Sequence, residues 1–145
     1  MRLYGVLLLL GLGFVAACGR VPTTGSALIP GQPSHAELLT AHPMPRTSNI
    51  HVVALGTAAG NSRHLVQIRD REEPHVHRRH DLVVFLLRGH GTLHRDGGDL
   101  EMGPGSIAAV DRGTPHWFEN RGSEPAAAYV VFSPPFDGED VDPLR

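Results

Sequence analysis

The spacing of hydrophobic and polar positions changes twice along the chain. From Leu3 to Cys18 no side chain is charged, and Arg2 is the one charge ahead of that stretch. An apolar run of this size behind a single positive residue has the form of a secretory signal peptide. It falls short of the roughly 18 or more apolar residues that favour a membrane span, and Gly5, Gly11 and Gly13 make it a poor soluble helix. From Gly19 to about Pro33, prolines and glycines among Ser and Thr predict an extended tether. Ser34-His35-Ala36-Glu37 fits a capping box opening a short helix through Leu38 and Leu39, which must end before Pro43.

From Ile50 the period becomes that of strands. Ile50 to Gly56 and Arg63 to Arg69 are β-rich runs around the turn signal Gly60-Asn61-Ser62. In the second, Val66 and Ile68 face opposite to Leu65 and Gln67. Leu82 to Leu87 is a continuous apolar run bounded by Gly89 and Gly91, which predicts a strand buried on both faces. Thr92 to Arg95, Asp99 to Met102, Ile107 to Val110, His116 to Asn120 and Ala126 to Phe132 complete the set, with Gly97-Gly98 and Gly103-Pro104-Gly105 as turns. Strands this short, punctuated by Gly and Pro, indicate an all-β sandwich or barrel behind a short helical arm. The acidic tail, with Asp137, Glu139, Asp140 and Asp142 among prolines, is expected to lie irregularly on the surface.

Composition narrows the function. A chain of 145 residues has room for one ordinary domain, and a net charge of −2 supplies no basic field for nucleic acid. All 13 basic residues are Arg, which excludes a Schiff-base lysine and a phosphate loop of the Gly-Lys-Ser type. No Gly-x-Ser-x-Gly nucleophile turn is present. The lone cysteine, Cys18, follows Val15-Ala16-Ala17, and this segment resembles the lipobox of bacterial lipoproteins. That resemblance implies removal of residues 1–17 and acylation of Cys18, so that no thiol is left for catalysis or a disulfide. It also implies a lipid-anchored protein of the cell envelope, on the periplasmic face of the outer membrane in a Gram-negative organism.

The excess is in histidine, ten in all, six of them between positions 75 and 116. His75 and His77 stand at i and i+2, so on a strand both project from one face, about 6–7 Å apart, and can converge on one metal ion. An exposed pair on a strand shows the same spacing. Downstream, Gly105-x5-Asp111-x-Gly113-x2-His116-x3-Asn120 places a tight turn just before His116. With these two patterns the chain resembles the cupin superfamily over about Ile50 to Pro135. The second motif matches at four of five positions, Asp111 standing where the family has Pro. In the first motif Leu82 stands where the family has a ligating Glu.

The resemblance implies a single antiparallel jelly-roll barrel over residues 49–136, between a tether and helix (18–48) and an acidic tail (137–145). It implies one divalent transition metal, Fe, Mn, Ni, Cu or Zn, held by His75, His77 and His116 in a cavity that takes a small molecule. Asp81, next to the missing Glu, is the expected fourth ligand if a one-residue shift turns it inward, and His80 is the other candidate. Three His alone is the remaining alternative. Enzymes, non-catalytic binding modules and a structural envelope protein with no bound metal all fit, and a homodimer is left open. Glu72 and Glu73 are expected to face solvent, Arg78 and Arg79 to lie in a turn, His90 and His94 to sit on or near an exposed strand, and Trp117 to point away from the ligands.

Overall fold

The computed structural model describes residues 33–144. The expected signal segment, the acylation site Cys18 and nearly all of the tether lie outside the described residues. Ser34 caps α1 (His35–Ala41): its hydroxyl accepts from the Glu37 N–H, and the Glu37 carboxylate accepts from the Ser34 N–H. The helix stops at His42, ahead of Pro43.

Ten short strands follow among the described residues: β1 (Ile50–Ala58), β2 (Asn61–Ile68), β3 (His75–Val76), β4 (Asp81–Arg88), β5 (Gly91–Arg95), β6 (Leu100–Met102), β7 (Ile107–Val110), β8 (His116–Asn120), β9 (Ala126–Ser133) and β10 (Asp142–Pro143). They pair antiparallel in two five-stranded sheets, ordered β1-β2-β9-β4-β7 and β10-β3-β8-β5-β6. The inner faces share one core, with Ile68, Leu82, Leu86, Val130 and Phe132 from the first sheet and Leu93, Met102 and Phe118 from the second. The fold is nearly all-β, as the strand spacing predicts.

At Gly91 the backbone lies close against a neighbouring strand: a Cβ there would stand 2.2 Å from the Glu119 carbonyl oxygen. Gly89 turns the chain at φ +85° and would press a Cβ within 2.8 Å of the Ala126 Cα. The two glycines that bound the apolar run are therefore required by space as well as by conformation.

Two burial expectations are corrected. β4 is not buried on both faces: Leu82 and Leu86 face the core, while Val83 between them is 36% exposed. β2 is the strand closed on both sides. Its outward-facing Leu65 and Gln67 are fully buried because the segment after α1 crosses that face. There the Gln67 amide donates to the His42 carbonyl and the Arg69 guanidinium to those of Ser48 and Pro45.

The acidic tail is not irregular either. β10 pairs with β3, setting Asp142 opposite Val76 and Pro143 opposite His75. Beyond it, the Leu144 N–H donates to the Pro74 carbonyl.

Candidate metal centre

The site is assembled where β3 meets β8. Their pairing sets His75 opposite His116, and His77 follows one residue after the end of β3. The turn that delivers His116 is docked onto the same loop: Gly113, at φ +81°, donates its N–H to the His77 carbonyl over 2.7 Å. The three imidazoles are buried, with ring centroids 4.5 Å (His75–His116), 5.0 Å (His75–His77) and 5.4 Å (His77–His116) apart. One ring nitrogen from each lies within 4.8 Å of the others, and this is the group among the described residues arranged to hold a metal ion.

Each ring is held by its Nδ1. His75 donates to the Glu73 carbonyl and His116 to the Thr114 carbonyl, both at 2.9 Å, and His77 donates to the Asp140 carbonyl. A backbone acceptor fixes the tautomer with the proton on Nδ1, so the lone pair is on Nε2, the form in which histidine ligates a metal. Burial pushes the His116 ring down to about 4, despite its bond to Thr114, and lowers His77 as well, so both imidazoles are neutral at pH 7. His77 is wedged edge-on against the stacked pair Phe132 and Phe136, at 5.4 and 5.8 Å.

The structure does not bring Asp81 to the three histidines. The register from Asp81–Ser133 through Leu82–Phe132 is regular, and the irregularity in β4 lies between Leu86 and Arg88. With no shift between 81 and 82, Leu82 faces the cavity and Asp81 the outside. There Asp81 accepts from the Arg112 N–H at 2.8 Å and from its guanidinium at 3.0 Å, which hold its carboxyl down to about 2. His80 is also committed: Nδ1 meets the Asp140 carboxylate at 2.6 Å and Nε2 the Pro135 carbonyl at 3.2 Å. The alternative that fits the geometry is three His.

His94, expected to be exposed, is mostly covered: its side chain is 15% exposed, stacks on Trp117 at 4.6 Å and meets Asp99 and Glu119. Both rings lie off the cavity lining, as the alternation from His116 predicts for Trp117. Arg78 and Arg79 are exposed and paired with Asp142 and Asp137. Glu73 faces solvent against Arg71.

Two further residues shape the site against expectation. Asp140, expected on the surface, is 4% exposed, and its carboxylate accepts from the Arg78 and Arg79 N–H groups as well as from His80. Burial alone would raise its carboxyl, but these donors bring it well below the ordinary range. Glu72, expected in solvent, lines the cavity. Its carboxylate accepts from the Phe118 N–H at 2.9 Å, and its own N–H donates to the Phe118 carbonyl at 2.9 Å. Burial pushes this carboxyl up, against the opposing pull of His75 and of the Phe118 N–H. Pro74 was the available signal: a residue without an N–H interrupts the ladder and permits a change of register.

The cavity holds about 320 Å³. Its polar lining is Glu72, Glu73 and the three histidines; the rest is apolar. The three histidines that could hold a metal are thus among the few polar groups of an otherwise apolar chamber.

Residues 63–132 match the family profile described as Cupin domain. An uncharacterized protein of Aquifex aeolicus is 35% identical over 91 residues, which cover 63% of this chain and 74% of that protein. The L-ectoine synthase of Bordetella parapertussis is 32% identical over 85 residues, 57% of this chain. The chain spans 64% of the synthase's length, just under two thirds. Among solved structures, TT1209 from Thermus thermophilus superposes with a TM-score of 0.60 at 21% identity, over 68% of this chain and 95% of that one, a likeness of fold.

Proposed function

The chain belongs to the cupin superfamily, and from that premise we propose that it is an exported, lipid-anchored protein whose barrel binds one divalent transition metal and, beside it, a small molecule. The observation that carries the metal is the set of Nδ1 bonds: three separate backbone carbonyls orient three buried imidazoles so that their other nitrogens converge. Neutral imidazole donors suit Fe, Ni, Cu and Zn, with Mn next, and three of them leave coordination positions open for a ligand. His75, His77 and His116 would hold the ion, which when bound supplies a Lewis-acid or redox centre. The apolar walls would pack against the body of a small molecule bound beside it. The activity of the ectoine synthases remains theirs.

The test of the metal site is elemental analysis of protein beginning at residue 18. About one equivalent of metal is expected, and His75→Ala should lose it while remaining folded. Metal content unchanged in that variant overturns the site. The anchor rests on the apolar start and on Cys18 after Val15-Ala16-Ala17. Cys18→Ser should abolish lipid labelling and leave unprocessed precursor; normal labelling of the variant removes this part of the proposal.

A further inference from the structure

Glu72 reaches the cavity through a bulge. Arg71 bridges Glu119 and His75 pairs with His116, so the chain takes four steps on one side against three on the other. The extra residue falls at Glu73-Pro74, where proline has no N–H for the ladder. Strict alternation from His75 would turn Glu72 outward; the extra residue turns it inward, and Glu72 and His75 line the same chamber. The carboxylate is fixed there by the Phe118 N–H on one oxygen, Oε2. Among the described residues no Arg or His forms an ion pair with it, and the one protein donor to its carboxylate is the Phe118 N–H, which leaves Oε1 free of protein donors. It stands outside the group of nitrogens within 4.8 Å of one another, so it neighbours the metal site without completing it.

Resting on the metal reading above, we infer that the cavity takes a small molecule with an apolar body, whose polar end carries an oxygen ligand for the metal and, beside it, an N–H or O–H donor accepted by Glu72. The chamber offers that donor no better acceptor: Glu73 is exposed and paired with Arg71, and the remaining walls are apolar. At the ~30 Å³ that a water occupies, its volume admits on the order of ten non-hydrogen atoms. Short aliphatic 2-amino or 2-hydroxy acids have this size and this pairing of groups.

The test compares 2-aminohexanoate with hexanoate, which differ by the amino group alone, using calorimetry on zinc-loaded protein. A charge-assisted hydrogen bond predicts that 2-aminohexanoate binds at least about tenfold tighter. In Glu72→Gln, which retains an acceptor for the Phe118 N–H, the gap should close to within about threefold while hexanoate binding stays within the same margin. Equal affinity in the unmodified protein overturns the inference without recourse to any variant. A full gap persisting in Glu72→Gln also overturns it, because the amino group would then be bound by the metal. Should Glu72→Gln fail to fold, Glu72→Asp, which withdraws the carboxylate by one methylene, must narrow the gap or the inference falls. Zinc content is measured first on the same sample. Failure to take up zinc strikes the metal reading instead, and Glu72 is then tested on metal-free protein. There hexylammonium should bind at least about tenfold tighter than hexanol, and equal binding defeats its role.

Discussion

Leu82 and Asp81 are adjacent in sequence and opposite in environment. Alternation turns Leu82 into the cavity, 6% exposed, and leaves Asp81 on the outer face against Arg112. Exposed ion pairs contribute little to stability and are screened by salt. Asp81→Ala should therefore leave metal content unchanged and the thermal midpoint close to that of the parent; loss of metal would return Asp81 to the ligand set. Leu82→Glu has the opposite character. In the metal-free protein it places an unpaired carboxylate in an apolar wall, at a cost of several kcal/mol, and the midpoint should fall by at least about 5 °C. Because position 82 faces the cavity that the three histidines line, zinc affinity should rise about tenfold or more. A calorimetric titration showing destabilisation without tighter zinc binding would mean that this wall does not approach the metal.

At the level of elements, the decisive piece is the C-terminal segment around β10. It closes the edge of β3, supplies the carbonyl that orients His77, and through Asp140 gathers two backbone N–H groups and His80. Leaving buried donors unpaired costs about 1–3 kcal/mol. Asp140→Ala should lower the thermal midpoint by several degrees and weaken zinc binding, since the loop bearing His77 loses its anchor. Differential scanning calorimetry with and without zinc reads both effects. An unchanged midpoint would show that water replaces the carboxylate at no cost. The legibility of the elements was uneven for a local reason. Eight strands follow from runs of alternating or continuous apolar residues; β3 and β10, two residues each, carry no period and exist only because they pair with other segments.

For the whole molecule, the buried histidines set a pH dependence of stability. Burial holds His116 at about 4, against 6.5 for the free side chain, and lowers His77 too. Through the window between about 4 and 6.5 the unfolded chain binds protons that the folded chain refuses, so stability rises with pH there and levels off above it. The contribution from His116 alone is on the order of 3 kcal/mol. Urea titrations of the metal-free protein should show it full near pH 7 and falling steadily towards pH 4, and zinc retention should fall in the same direction. A flat profile between pH 7 and 5 would mean that these rings are hydrated. A second loss should begin below about 3.8 as Asp140, lowered in the folded chain, takes up its proton.

The sequence by itself determined what is local or is written into a motif. The period of two fixes the inner faces of the longer strands, Gly89 and Gly91 mark the points where the chain turns and approaches its neighbour, and the two spaced patterns name His75, His77 and His116. Register and long-range pairing decided the rest. Strict alternation turns Asp81 outward, and an extra residue beside Pro74 turns Glu72 inward. The carbonyl and carboxylate that organise the loop bearing His77 come from Asp140, 63 residues away. Whether a charged residue faces water or the cavity depends on the strand it pairs with and on the donors it meets there. Neither is encoded in its immediate neighbours, and so the three histidines were legible while Glu72 and Asp140 were not.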